Sequence, residues 1–237
     1  PFALSEDDLK RTLFDHLVSE MPPGGRVSLN IQHRMVRPIG ELISECFYDG
    51  RLNNPRVPQP TGLDAALPRR VVWLSTSRLA DRGELSGTSI SNQAEVREIV
   101  AMLKRIAFLG RKDSGRHSVA VLTGYSDQRR SLERAIAAES VALGDILQVE
   151  VNTVDAFQGR EADVAVYSVT RSNPTGTVGF LSEYQRINVA LSRGREFLVI
   201  VGDHLFCRRA KGDNPLKRVL DYIELHPDTC LLTEVLP

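Results

Sequence analysis

The chain has 237 residues, of which 42% are hydrophobic, 25% charged and 6% aromatic, proportions that exclude a disordered tail, a coiled coil and a disulfide-stapled miniprotein. Thirty basic and thirty acidic residues cancel to zero net charge, so no global field draws nucleic acid or membrane to it. The balance conceals a bias of 25 Arg against 5 Lys; genome composition can produce this, but Arg is also the residue of bidentate phosphate recognition.

The elements read in chain order as follows. A weak strand is predicted at 26–30, then a segment at 51–68 with four prolines (Pro55, Pro58, Pro60, Pro68) and little periodicity. An apolar strand follows at 71–74 and a polar loop at 75–91. Asn92 with Glu95 forms a capping box that opens a helix. Further strands are predicted at 119–122, 149–154, 164–169 and 197–201, with a weaker one at 229–234. Ser182 with Gln185 forms a second capping box, and Asn214 caps a helix with Pro215 in its first turn. Continuously apolar strands separated by helices predict a parallel sheet covered on both faces, hence a three-layer α/β domain. Ligands of such folds bind beyond the carboxyl ends of the strands, so the segments after each apolar run are the ones to inspect.

Cys46, Cys207 and Cys230 are odd in number, far apart and without CxxC spacing. They are expected to be buried thiols in a reducing cytosol rather than disulfides or zinc ligands. No stretch approaches the roughly 18 apolar residues of a membrane span. The expectation is a cytoplasmic protein, nuclear if eukaryotic, with no membrane partner. The chain opens on Pro1, which is read as a cut near a domain boundary.

Neither GxxxxGK[ST] nor GxGxxG occurs, although nucleotide-binding α/β chains normally carry one of them after a strand. None of the five lysines lies in a glycine-rich loop. The chain is therefore not expected to hold a triphosphate by itself.

Three stretches are too polar and too specific for connecting loops. They are Ile31-Gln32-His33-Arg34-Met35, then residues 151–161, VNTVDAFQGRE, and then residues 186–193, RINVALSR. On a helix, Tyr184, Ile187 and Leu191 share one stripe, while Arg186 and Arg193 fall together on nearly the opposite side. That pattern alone reads more readily as a solvated basic face, as helix faces usually are.

Taken in order, the three stretches resemble motifs IV, V and VI of superfamily 1 helicases, in the subgroup of the nonsense-mediated-decay helicase and senataxin. The family's QYRM, VDxFQGRE and RLNVALTRA stand here as Gln32-His33-Arg34-Met35, residues 154–161 and residues 186–194. Residues 47–52 (FYDGRL), residues 122–128 (LTGYSDQ, similar to the family's TPYxxQ), Arg171-Ser172-Asn173 and Gly179-Phe180-Leu181 also follow its pattern. The likeness covers roughly residues 25–205.

The resemblance implies a RecA-like domain of the P-loop NTPase type that lacks the P-loop itself, since these motifs belong to the second motor domain. Residues 26–237 would be that domain, and residues 1–25 a linker or helix from the preceding one. It implies Arg193 as the arginine finger, Arg34 as a second γ-phosphate contact, and Glu161 as acceptor from the ribose. Gly159 would let backbone approach the nucleotide, and His33, in the place of the family's Tyr, would stack near the adenine. Thr123, Tyr125, Gln128 and Thr153 would track the backbone of single-stranded DNA or RNA. ATP and Mg²⁺ would be held mainly by the first RecA-like domain of the same chain. Where the family has Thr and Ala, Ser192 keeps the hydroxyl and Gly194 is expected to loosen the helix end. The competing readings are a non-catalytic nucleic-acid or protein docking module and a domain that binds a small nucleotide alone. A nuclease using Asp155 and Glu161 has no lysine nearby to complete the set.

Overall fold

The computed structural model describes residues 13–25, 27–110, 115–144 and 146–236. The chain divides into two compact units, residues 1–30 and 31–237. The described part of the first contains helix α1 (Leu13–Glu20) and a single 3-10 turn at Pro23–Gly25. Of the strand predicted at 26–30, residue 26 lies outside the described residues and 27–30 form no ladder. Val27 and Leu29 alternate as a strand would, yet both are almost fully exposed. Alternation without a partner to receive it does not make a strand.

The second unit is built on a sheet of six strands in the order β5-β4-β6-β7-β1-β8. These are β1 (Val71–Ser75), β4 (His117–Thr123), β5 (Leu147–Thr153), β6 (Ala162–Ser168), β7 (Gly194–Val201) and β8 (Cys230–Glu234). Every pairing between neighbours is parallel. The helices are α2 (Arg37–Phe47), α3 (Gln93–Gly110), α4 (Ser126–Ala138), α5 (Ser140–Leu143), α6 (Tyr184–Leu191), α7 (His204–Arg209) and α8 (Leu216–Leu225). One face of the sheet packs on α2, α6, α7 and α8. The other packs on α3, α4 and α5. Strand pleating divides the apolar runs between the layers. In β6, Ala165 and Tyr167 point to the first face, while Val164 and Val166 point to the second. Two buried faces require apolar residues at successive positions, the reason the runs are continuous.

The predicted polar loop at 75–91 contains a short antiparallel hairpin, β2 (Leu85–Ser86) with β3 (Ile90–Ser91). Strands of two residues carry no periodicity to read. The segment 51–68 is free of regular structure apart from one bridge, Ile31 to Asn53. All three cysteines are buried and free. Asn214 Oδ1 accepts from the Leu216 amide at 3.1 Å, as its capping role predicts. Ser182 caps nothing, because its hydroxyl donates back to the Gly179 carbonyl at 2.9 Å.

Among the described residues no helix is long and apolar enough to cross a membrane.

Candidate functional site

The fold gathers motif residues at the amino ends of β6 and β7. Glu161 immediately precedes β6, Arg193 precedes β7, and Arg34 lies in the turn before α2. This cluster precedes its strands, whereas the expectation pointed to the segments that follow them. Strand β7 brings Arg193 beside Glu161, since the Ala162 amide donates to the Arg193 carbonyl at 3.1 Å. Arg34 Nε lies 2.9 Å from Glu161 Oε2, both side chains being partly exposed at 33% and 42%. Arg34 Nη1 also donates to the Ser192 carbonyl at 3.4 Å. His33 is exposed beside them. Gly159 adopts φ +83° with open space where a side chain would stand. That backbone conformation favours glycine and leaves the main chain approachable.

The shared face predicted for Arg186 and Arg193 is not formed. Helix α6 ends at Leu191, which turns Arg193 out of the helical register. Tyr184, Ile187 and Leu191 do pack toward the sheet as predicted, whereas Arg186 pairs with Asp155 at 3.1 Å and lies over Phe180. Arg193 is 8% exposed. Its Nε donates to the Val189 carbonyl at 2.7 Å and its Nη1 to the Arg160 carbonyl at 3.1 Å. Nη2 reaches Ser192 Oγ at 3.4 Å. Every acceptor is neutral, so the charge of Arg193 is not cancelled by an ion pair. Burial, and next the charge of Arg34, hold its guanidinium below arginine's ordinary value, though an arginine stays protonated regardless.

Sequence reasoning missed Arg195, which completes the cluster. It lies 3.5 Å from Glu161 and 2.6 Å from Asp163. Asp163 also accepts from Ser118. Burial pushes the Asp163 carboxyl up, but the Ser118 and Arg195 hydrogen bonds outweigh it and leave the carboxyl below its ordinary range. Asp155 and Glu161 are each engaged by arginine, and no group of three metal-ligating side chains occurs among the described residues.

The second set of predicted residues lies at the opposite, carboxyl ends of β4 and β5. Thr123 and Thr153 are direct partners in the ladder. Thr123 is fully buried and its hydroxyl meets Thr170 Oγ1 at 2.9 Å. Gln128 is also fully buried. It accepts from the Asn92 amide at 2.8 Å and donates to Ser168 Oγ at 2.9 Å. Tyr125 is half-buried, its hydroxyl accepting from the Phe180 amide at 3.1 Å, and its ring 6.0 Å from that of Phe180. Burial is the main cause that raises its phenol. Residues 154–161 join the two ends of the sheet. The segment makes a 3-10 turn at Asp155–Phe157 and then runs back to the start of β6 at Ala162. Arg160, on this crossover, pairs with Glu150 of β5.

The model of the AAA domain family matches residues 9–205. DNA polymerase alpha-associated DNA helicase A of Saccharomyces cerevisiae is 32% identical over 96% of this chain. The regulator of nonsense transcripts 1 homolog of Neurospora crassa and the ATP-dependent helicase NAM7 of Saccharomyces cerevisiae are each 32% identical over 82% of it. The chain belongs to this family, as a second RecA-like domain of the superfamily 1 helicases. It spans 36%, 18% and 20% of those relatives' lengths, respectively.

Two residues of this helicase domain behave differently from their sequence reading. Gly194 does not loosen a helix end, because it is the buried first residue of β7. A side chain there would overlap the Phe197 carbonyl and crowd Ala165. Glu95 forms half of its capping box: the Glu95 amide donates to Asn92 Oδ1 at 3.2 Å. Its fully buried carboxyl turns inward instead, accepting from the Thr170 amide at 2.8–2.9 Å and from Ser168 Oγ at 2.6 Å. It thereby holds Thr170 at φ +68°, a conformation uncommon for a β-branched residue.

Burial pushes the Glu95 carboxyl up to about 8. A raised folded value means that the native state keeps a proton the unfolded chain releases. Stability is then complete below the unfolded value of 4.5 and declines as pH rises through the folded one. From about pH 5 to about pH 8 the wild type is expected to lose roughly 2–4 kcal/mol relative to Glu95→Gln. Denaturant unfolding of both proteins at several pH values checks this; parallel pH profiles would reject it.

Proposed function

We propose that this domain is the second half of an ATP-driven helicase or translocase acting on single-stranded DNA or RNA. In this reading Arg193 and Arg34 face the γ-phosphate, Glu161 accepts from the ribose with Gly159 backbone alongside, and His33 packs near the adenine. Mg²⁺ and most triphosphate contacts come from a first RecA-like domain, to which residues 1–25 lead. Bound Mg²⁺ neutralises charge that builds on the phosphate oxygens during transfer. The observation that carries the reading is the Arg193 guanidinium: partly desolvated, anchored by two carbonyls and neutralised by no carboxylate. A cation so placed is complementary to a phosphate and is held in position before the reaction.

The Arg34–Glu161 pair is a resting arrangement in this scheme. The α- and β-phosphates separate the ribose from the γ-phosphate in ATP, so binding exchanges one internal ion pair for two ligand contacts. At the other end of the sheet, Thr153 and Tyr125 remain accessible to a nucleic-acid strand, while buried Thr123 and Gln128 shape the surface beneath it. The names of the relatives, a DNA helicase and an ATP-dependent helicase, agree with both halves of the scheme.

The direct test is ATP turnover by the full-length protein with single-stranded DNA and then with RNA. At least one should raise the rate about tenfold or more, a barrier change of about 1.4 kcal/mol. No turnover with either would favour a non-catalytic docking module, and turnover indifferent to both would remove the nucleic-acid half of the reading.

A further inference from the structure

We propose that Arg56 is a positioning residue for Arg34, clamping the turn that carries it to the start of β7. The inference rests on the reading of the cleft given above. Arg56 lies in the proline-rich segment 51–68, which has no helix or strand of its own. Its Nη1 donates to the Arg34 carbonyl at 2.5 Å and to the Arg195 carbonyl at 3.2 Å. Its Nη2 pairs with Glu196. One guanidinium therefore ties the backbone of Arg34 to a strand residue two positions after Arg193.

The rest of the turn is built to be held in this way. Gln32 closes it, accepting from the Met35 amide at 2.8 Å and donating to the Met35 carbonyl at 2.9 Å. Gln32 also donates to Asn54 at 2.9 Å, so the segment carrying Arg56 grips the turn twice. The Val36 amide donates to the Arg195 carbonyl at 2.9 Å, and the Arg37 amide to the Arg56 carbonyl at 2.7 Å. The Arg34 side chain leaves this clamped residue toward Glu161 and the Ser192 carbonyl. Arg56 thus adds to the ties that set the spacing of Arg34 from Arg193, while its own hydrogen bonds go to neither guanidinium. An arginine suits the task because its planar fork serves two carbonyls and a carboxylate at once, which a lysine ammonium cannot do in fixed directions.

The test uses the full-length protein with Arg56→Ala, Arg56→Lys, Arg34→Ala, Arg193→Ala and the Arg34→Ala/Arg56→Ala pair. Arg56→Ala should lower kcat for stimulated ATP turnover about 10- to 100-fold, the scale of a small misplacement of a catalytic group. KM for ATP should stay within about threefold, and Arg56→Lys should recover only part of the loss. In the Arg34→Ala background, removing Arg56 should change kcat by less than about threefold, since both act through one contact. Amide exchange at Val36 should quicken in Arg56→Ala while exchange at Val199 and Ile200 in the core stays as in wild type. Native kcat in Arg56→Ala, full multiplication of the two losses, or an unaltered Val36 amide would each overturn the inference. Near-native turnover of Arg193→Ala would instead reject the reading of the cleft, and the Val36 amide then decides the clamp alone.

Discussion

Replacing Arg193 by alanine in the full-length protein is expected to lower nucleic-acid-stimulated ATP turnover about 1,000- to 100,000-fold. That loss corresponds to about 4–7 kcal/mol of barrier. Nucleotide affinity should fall much less, because a finger contact strengthens as charge develops on the transferring phosphoryl group. The size follows from how the side chain is held. Its anchors are the carbonyls of Val189 and Arg160, so the guanidinium is oriented before ATP arrives and no reorganisation is needed during the reaction. The fold should survive the change, since the two released carbonyls lie in the half-buried last turn of α6 and on the exposed crossover, where water can replace the guanidinium. Thermal unfolding of the variant checks that point beside the rate. A variant with near-native turnover would remove Arg193 from the mechanism.

The isolated 237-residue chain is expected to hydrolyse ATP at less than about a thousandth of the full-length rate. It has no GxxxxGK[ST] sequence, so the backbone cradle that normally grips the phosphates is missing from its sequence. The cationic cluster at the amino ends of β6 and β7 has a self-satisfied character in this half. Arg34 and Arg195 both rest on Glu161, and nothing in the chain supplies a phosphate to draw them away. Hydrolysis assays on the purified chain, with and without single-stranded nucleic acid, measure this directly. Turnover that tracks the chain through successive purification steps would sink the split-cleft reading.

Much of the architecture was legible because parallel strands buried on both faces must be continuously apolar. The runs at 71–74, 119–122, 164–169 and 197–201 fall within a few residues of β1, β4, β6 and β7. The errors share a cause: local pattern does not report which partner a residue meets. Val27 and Leu29 alternate correctly and have no ladder to join. Glu95 sits at the capping-box position, but a buried Ser168 and a strained Thr170 claim its carboxyl. Arg186 and Arg193 share a face only if the helix continues, and it stops at Leu191.

For the candidate site the division is similar. The spacing of residues 32–35, 154–161 and 186–194 determined the family, since a chain's order of motifs is a property of sequence alone. It also named Arg34, Glu161 and Arg193, which lie up to 159 positions apart in the chain. Only the tertiary structure decided that these meet at the amino ends of two neighbouring strands while Thr123 and Thr153 meet at the carboxyl ends of two others. It alone revealed Arg195 and Arg56, whose partners are carboxylates and carbonyls distant in sequence. The physical reason is that periodicity and spacing encode each residue's own backbone state and layer. Hydrogen-bond partners and uncompensated charge instead depend on where remote backbone groups come to rest after the sheet closes.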